Sequence, residues 1–158
     1  HLLEVVMPKF NTTFRLKPLL RAASLSLVLV SSSLVAAETP VGYVARIQAH
    51  TPEEVGSILN RAEDLMAQQD SYSQEKPIAL ILHGEEAQAF LRSNYGSHKE
   101  LVDLAAKLDA FNVIDVQICE TWMSMNKVDR SEIPAFINTV PFGPAAEQAL
   151  KGSGYLYF

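Results

Sequence analysis

Ile78-Ala79-Leu80-Ile81-Leu82, followed by His83-Gly84, is the stretch of sequence that decides the fold. Its five apolar residues do not alternate with polar ones, and Pro77 and Gly84 bound the segment. A strand that is apolar on both faces belongs inside a parallel sheet with helices on either side. The stretch therefore predicts a central strand of an α/β protein.

Four other segments have the composition of strands. They are rich in apolar and β-branched residues and are separated by helical patterns, at residues 41–48, 113–119, 138–140 and 155–158. An alternation of strands and helices predicts an α/β three-layer sandwich with a mostly parallel sheet of about five strands. The last segment is apolar enough to be either an inner strand or a contact surface.

Capping signals indicate where the helices begin and end. Thr51 can cap a first helix, and Pro52 suits its first position. Ser97 and Glu100 have the spacing of a capping box for a second helix, which Asn112 ends. Shorter helices are predicted at residues 85–92, 121–128 and 145–151.

The first 37 residues have the order of a secretory signal peptide. A basic segment after Met7 precedes the apolar stretch 22–30, and small residues ending in Ala36-Ala37 follow. The apolar stretch is shorter than the roughly 20 residues that span a membrane. We therefore expect an exported, periplasmic protein that is not held in the membrane after cleavage.

The predicted cleavage point divides the chain into two parts. Cleavage after Ala37, or after Ala36, removes the signal peptide together with residues 1–6, which have no initiator methionine and are treated as a non-native leader. Residues 38–158 then form one domain. The alternative is that the leader remains as an N-terminal anchor.

The charge of the predicted mature domain argues against nucleic acid as a partner. Residues 1–37 carry four basic and one acidic side chain, so the formal net charge becomes −8 after cleavage, against −5 for the whole chain. A protein that binds nucleic acid neutralises several phosphates with basic side chains. An anionic membrane surface is disfavoured for the same reason.

Two reactive side chains follow strands of the predicted sheet. His83 follows the second strand, and Cys119, the single cysteine of the chain, ends the third. In parallel α/β sheets such sites gather at the carboxyl ends of the strands, so both side chains are expected at one edge if the strands are neighbours. Cys119 is either a free thiol near a helix start, which favours the thiolate, or a buried packing residue. His83 is either a partner of the thiol or a histidine that bonds a backbone carbonyl.

The neighbours of these two residues are candidates for ligand binding. They are Gly84, Glu120, Thr121 and Trp122. Trp122 and Met123 either line an apolar rim or belong to the core. Gly84 has no further glycines of a phosphate-binding loop, and Glu85-Glu86 would repel phosphate.

Other kinds of site have less support in the sequence. His50 and His98 are at predicted helix starts and are interpreted as surface or capping groups. No spacing of metal ligands is present, so neither a metal nor another cofactor is expected. The sequence also has no hydrolase triad and no dinucleotide fingerprint.

The combination of motifs resembles the DsrE/DsrF-like family. It consists of residues 78–84, a helix ending near Leu108, the segment 113–119, Val140-Pro141 and the closing residues 154–157. The resemblance implies an α/β fold with a mainly parallel sheet and assembly as a homo-oligomer, a trimer or a hexamer. In sulfur-relay members a cysteine at the end of the third strand carries a persulfide, and Cys119 is the matching residue. His83 matches the family's histidine after the second strand.

Two departures limit what the resemblance implies. Relay members often have small residues and a glycine after the cysteine, whereas this chain has Trp122, Met123 and Met125. Relay members are also cytoplasmic, so transfer of sulfur for tRNA modification is not implied. Two functions remain: a sulfur carrier that exchanges sulfur with a donor or acceptor protein or a small thiol, and a ligand-binding or assembly module with a structural Cys119.

Overall fold

The computed structural model of the chain describes residues 39–68 and 76–158. Its centre is a five-stranded sheet in the order β4-β3-β2-β1-β5, in which every pair of neighbours is parallel. The strands are β1 (Tyr43–Val44), β2 (Ile78–Leu82), β3 (Ile114–Cys119), β4 (Asn138–Val140) and β5 (Leu156–Tyr157). The prediction of an α/β sandwich around a parallel sheet of about five strands is confirmed.

The middle of the sheet is the pair β2 and β3. All five residues of β2 are buried, as expected for a strand with an apolar sequence and no alternation. The register runs from Ile78 opposite Ile114 to Leu82 opposite Ile118. Since the two strands end side by side, the residues that follow them lie at the same edge of the sheet.

One face of the sheet is covered by two long helices, α1 (Pro52–Gln68) and α2 (Lys99–Ala110). Leu80 points to this face and joins the main core, to which α1 contributes Leu59 and α2 contributes Leu108. Thr51 caps α1 as predicted, because its Oγ1 accepts a hydrogen bond from the backbone N–H of Glu54 at 3.2 Å. Burial of these apolar stripes stabilises this layer of the domain.

The other face is covered by α4 (Gly143–Gly152). Ala79 and Ile81 alternate with Leu80 along β2, and they pack in a second, smaller cluster with Ala146 and Leu150 of α4. The remaining α-helix, α3 (Glu120–Met125), begins directly after β3. The sheet therefore lies between two helical layers of unequal size.

Several local predictions are wrong. The capping box at Ser97 and Glu100 does not form, because Ser97 ends a 3₁₀ helix and His98 is the residue that precedes α2. His98 makes no side-chain cap either. Of the two alternatives for residues 155–158, the inner strand is wrong, because β5 is an edge strand that pairs with β1. The short helix predicted at residues 85–92 does form, as a 3₁₀ helix over Glu85–Phe90.

Other predictions fall on parts of the chain that the structure does not describe. The signal peptide, the cleavage site and the leader lie in residues 1–38, outside the described residues. The polar connection predicted after α1 lies mostly in residues 69–75, which are also outside them. Within residues 39–68 and 76–158, none of the helices has the length and apolar character needed to cross a membrane.

Candidate functional site

The carboxyl ends of the strands bring together residues from four separate segments. His50 lies in the loop after β1, His83 directly follows β2, Cys119 ends β3, and Gly143 begins α4 shortly after β4. These strands are consecutive in the sheet and parallel. The predicted meeting of the His83 and Cys119 segments at one edge is confirmed by the strand pairing.

One half of this edge, formed by the ends of β3 and β4, is centred on the sulfur of Cys119. The residue is 2 % exposed and precedes the first turn of α3. Its Sγ accepts hydrogen bonds from the backbone N–H of Gly143 at 3.2 Å and from that of Trp122 at 3.5 Å. The first donor is 24 residues away in the chain, so the sulfur connects the end of β3 to the beginning of α4.

Gly143, whose N–H bonds the sulfur, also lies against His83. A Cβ atom at Gly143 would lie 2.8 Å from Cβ of His83 and 3.2 Å from Cγ2 of Ile81. Real Cβ atoms do not approach each other at 2.8 Å, so only glycine fits without a shift of its neighbours. The absence of a side chain at this position lets α4 begin in contact with both Cys119 and His83.

His83 lies between Gly143 and a second histidine. Its ring meets the ring of His50 edge to face, with centroids 4.7 Å apart and planes at 71°. Its backbone N–H donates a hydrogen bond to Oε1 of Glu86 at 2.8 Å. The side chain is half-buried at the edge of the sheet.

The sequence analysis missed Glu86, which was interpreted as part of an acidic turn that repels phosphate. Glu86 is fully buried, with 0 % exposure. Its carboxylate accepts hydrogen bonds from the backbone N–H groups of His83 and Gly84, and its Oε2 lies 2.9 Å from Nδ1 of His50. The backbone donors that could have bound a phosphate are therefore occupied by a carboxylate of the protein.

A signal for the burial of Glu86 was present in the sequence. Residues 85–90 form a 3₁₀ helix with three residues per turn, so Ala89, three residues after Glu86, lies on the same face. Ala89 is also buried. Glu86 lies on that inward face. The pattern was outweighed by the ordinary preference of glutamate for the surface.

The interpretation of His50 as a surface or capping residue is wrong. Its backbone has a φ of 55°, in the left-handed region, and its ring is fixed by Glu86. The backbone N–H of His50 donates to Oε2 of Glu54 at 2.9 Å. Glu54 thereby holds the loop that carries the imidazole to the edge of the sheet.

The remaining candidate residues support this edge in other ways. Gly84 leaves room for the His50 ring, since a Cβ there would lie 2.7 Å from its Cγ. Oγ1 of Thr121 donates to the carbonyl oxygen of Pro141 at 2.9 Å, and Oε1 of Glu120 accepts from Oγ1 of Thr139 at 2.7 Å. Both bonds connect the beginning of α3 to the segment that leads to Gly143.

Trp122 and Met123 belong to the core and do not form an apolar rim. Each is 7 % exposed and packs in the main cluster. The exposed apolar side chains are instead Met125, six residues after Cys119 in the sequence and 79 % exposed, and Phe142, which precedes Gly143 and is 50 % exposed. Trp122 contributes its backbone N–H to the sulfur, while its indole is part of the packing.

The described residues contain no group of three or more His, Cys, Asp or Glu side chains arranged to hold a metal ion. A cavity of about 440 Å³ lies elsewhere, between the beginnings of α1 and α2, where Pro52, Ser97 and Leu101 are among the residues that line it. It is lined by none of the residues of the Cys119 edge. The reactive side chains described at that edge are the thiol of Cys119, the imidazoles of His50 and His83, and the carboxylates of Glu86 and Glu120.

Comparison with known proteins supports the fold. No protein-family model matches the chain, and no curated protein matches it. The solved protein of unknown function MTH1491 from Methanobacterium thermoautotrophicum is similar in structure, with a TM-score of 0.54 and 13 % sequence identity. The match covers 73 % of this chain and 93 % of that one. At this identity the similarity extends to the fold alone.

Proposed function

We propose that this protein is an exported DsrE/DsrF-like sulfur carrier in which Cys119 accepts a sulfane sulfur as a persulfide. The observation that carries the proposal is the pair of backbone N–H groups from Gly143 and Trp122 that point at Sγ. Donors fixed around an atom stabilise the negative charge that develops on it during a reaction. The thiolate is the form of cysteine that attacks sulfur.

The proposed reaction is an exchange of one sulfur atom with a hydropersulfide donor. Sγ of Cys119 attacks the terminal sulfur of the donor, a new S–S bond forms, and the donor's own S–S bond breaks. The electron pair of the broken bond leaves with the donor, which becomes a thiol after it takes up a proton. The sum is a thiol and a hydropersulfide that exchange roles, so no oxidant or reductant is needed.

The burial of Cys119 favours the transfer of a single sulfur atom over the transfer of a larger group. At 2 % exposure the thiol leaves little room for a bulky group, whereas a persulfide adds a single atom. A persulfide formed there would also be shielded from most thiols in solution. We expect the donor to present its sulfur on a small or extended molecule.

The remaining parts of the proposal rest on the sequence. The family assignment is supported by the position of Cys119 at the end of the third strand in chain order and by His83 after the second. Periplasmic export is supported by the signal-like order of residues 1–37. Assembly as a trimer or hexamer is supported by exposed apolar side chains at Phe111, Met125 and Phe142.

The test is to incubate the mature protein with a hydropersulfide donor and to weigh the peptides that contain Cys119. Addition of one sulfur atom to Cys119, lost on treatment with a reductant, supports the proposal. The control is Cys119→Ser, which should gain no sulfur and retain the wild-type circular dichroism spectrum. A wild-type protein that gains no sulfur would refute the proposal.

The second candidate is a ligand-binding or assembly module in which Cys119 is structural. It is favoured by the packing of Cys119 with Trp122 and Met123 in the main core. In that case Cys119→Ser should leave the physiological role of the protein intact. A loss of that role in a variant that still folds would exclude this candidate.

A further inference from the structure

A second cavity, of about 350 Å³, lies beside the middle of α2. Its other walls come from the 3₁₀ segment of residues 90–95 and from the loop that precedes β4. None of the residues that line it belongs to the Cys119 edge. Clefts of this volume, lined mainly by apolar and aromatic side chains with a few polar groups, are the usual binding sites of small molecules.

The inner part of this cavity is apolar and partly aromatic. Phe90, Leu91 and Val102 are all buried. Tyr95 and Phe136 add two aromatic rings closer to the surface, where Tyr95 is exposed and Phe136 is half-buried. Aromatic rings pack favourably edge to face or offset against another ring. The lining therefore suits a ligand with an apolar, aromatic body.

A small side chain of α2 leaves room for such a ligand. Ala106 lines the cavity one helical turn after Val102, so the two side chains are on the same face of the helix. A longer apolar side chain at position 106 would occupy the cavity. The space is therefore set by the size of this one residue.

Asp103, the acidic residue of the cavity lining, already has partners for both of its oxygens. Its Oδ2 accepts a hydrogen bond from the Lys99 ammonium, and its Oδ1 accepts one from the Tyr95 hydroxyl at 2.7 Å. These two hydrogen bonds hold the pKa of Asp103 below its usual value, so the carboxyl is ionised at neutral pH. Lys99 balances its charge, and the bond to Tyr95 fixes that ring as a wall of the cavity.

Arg92 brings a positive charge to the same cavity. Its Nε donates a hydrogen bond to the carbonyl oxygen of Ser131 at 3.0 Å, which orients the guanidinium. Within residues 39–68 and 76–158, neither Nη1 nor Nη2 of Arg92 has an acceptor, and no carboxylate pairs with it. The planar N–H groups of a guanidinium match the two oxygens of a carboxylate. The side chain is exposed, so a ligand can reach it from solvent.

We propose that this cavity is a binding site for a small aromatic monocarboxylate, such as an arylalkanoate. The ring of the ligand packs among Phe90, Tyr95 and Phe136, and its carboxylate binds Nη1 and Nη2 of Arg92. The chain has a formal net charge of −5, so an anionic ligand needs a local positive group, which Arg92 provides. A phosphate ester is disfavoured, because its second negative charge would lie in the same cavity as Asp103. The inference concerns a separate site and does not rest on the sulfur-carrier proposal.

The test compares 3-phenylpropionate with its neutral isostere 3-phenylpropionamide. Each is titrated into the protein and followed by isothermal calorimetry and by two-dimensional ¹H–¹⁵N NMR. We expect the carboxylate to bind at least about 10-fold more tightly than the amide, which is the usual effect of hydrogen bonds to a charged group. The amide signals that shift should centre on Tyr95, Val102 and Phe136.

Two substitutions separate the charge of the site from its shape. Arg92→Gln should remove the preference for the carboxylate, so that both ligands bind with equal affinity. The matched control is Arg46→Gln, at a basic residue outside the cavity that lies over the Tyr157 ring, and it should keep the preference. Ala106→Leu fills the cavity and should abolish binding of both ligands, with a wild-type circular dichroism spectrum. If Ala106→Leu does not fold, the comparison of Arg92→Gln with Arg46→Gln decides alone.

Three results would overturn the proposal. A folded wild-type protein that binds neither ligand at millimolar concentration refutes the site. Equal affinity of the wild-type protein for the two ligands, or equal losses in Arg92→Gln and Arg46→Gln, refutes the carboxylate as the group recognised. Shifts centred on the Cys119 edge or on the 440 Å³ cavity place the ligand elsewhere and refute the site as well. Persulfide formation at Cys119 is measured separately and stands or falls on its own.

Discussion

Cys119 and Glu86 occupy comparable places in the sheet but present different chemistry. Cys119 is the last residue of β3, and Glu86 lies in the 3₁₀ helix that follows β2. Both are buried, and each accepts hydrogen bonds from two backbone N–H groups, Gly143 and Trp122 for the sulfur, His83 and Gly84 for the carboxylate. The carboxylate has a further partner in His50. The described residues provide no such side-chain partner for the sulfur, which can also form a new covalent bond.

This difference indicates that the two halves of the sheet edge have different roles. The backbone donors after β2 are neutralised by a residue of the protein, so they are closed to a phosphate or another anion. The two donors to the sulfur, one after β3 and one after β4, bind an atom that can change its covalent state. One half of the edge therefore fixes a histidine, and the other half holds the group that we propose to react.

Replacing the carboxylate should give the largest loss of stability. Glu86→Leu removes the acceptor for two buried N–H groups and for the His50 ring, and disruption of such a buried network costs about 3–5 kcal/mol. Urea unfolding followed by circular dichroism measures the change. Glu86→Gln, which keeps an oxygen acceptor, is the control and should lose less. Equal losses in the two variants would contradict the role assigned to the hydrogen bonds.

Filling the space between the two halves should have the next largest effect. Gly143→Ala places a Cβ against His83 and Ile81, and such overpacking costs about 1–3 kcal/mol. The control is Gly152→Ala at the other end of α4, where a Cβ would meet nothing within 4 Å. Thermal unfolding of both variants measures the difference. A Gly143→Ala protein as stable as Gly152→Ala would mean that the close approach to His83 is not tight.

Removing the sulfur should cost less than removing the carboxylate. Cys119→Ala leaves the N–H groups of Gly143 and Trp122 without their acceptor, a loss of about 1–2 kcal/mol in the free energy of unfolding. Cys119→Ser restores an acceptor and should lose less. Denaturant titrations of both variants test this order. A serine variant that is less stable than the alanine variant would show that packing of the thiol outweighs its hydrogen bonds.

Replacing His50 should change stability least. In His50→Asn the new residue also tolerates a positive φ, so the backbone conformation should be kept and the loss is limited to the ring's contacts with His83. We expect the free energy of unfolding to stay within about 1 kcal/mol of the wild-type value. Urea unfolding measures it. A loss as large as that of Glu86→Leu would show that the His50 ring contributes as much to the stability of the fold as the carboxylate that it binds.

Those parts of the edge that depend on local pattern could be predicted from the sequence. The unbroken apolar run of β2 and the composition of β3 identified two strands of a parallel sheet, and the positions of His83 and Cys119 at strand ends follow from where those strands end. That the two strands are neighbours is given by the structure. The capping role of Thr51 is equally local. Each of these inferences needs only residues within a few positions of one another.

The rest of the edge depends on contacts between distant segments. His50 and Glu86 are 36 residues apart in the chain, and Gly143 and Cys119 are 24 apart. No local pattern specifies that a glutamate after one strand will bind a histidine after another. The predicted capping box at Ser97 failed for a local reason, because Ser97 ends the preceding 3₁₀ helix and His98 is the residue before α2.

The central claim is that the Cys119 sulfur, which accepts hydrogen bonds from the backbone N–H groups of Gly143 and Trp122, is the reactive atom of the protein. The most direct measurement is the mass of Cys119 peptides after the protein has been incubated with a hydropersulfide and freed of excess donor. The account predicts the addition of one sulfur atom at Cys119, removable by a reductant and absent in Cys119→Ser. An unmodified Cys119 in the folded wild-type protein would contradict it.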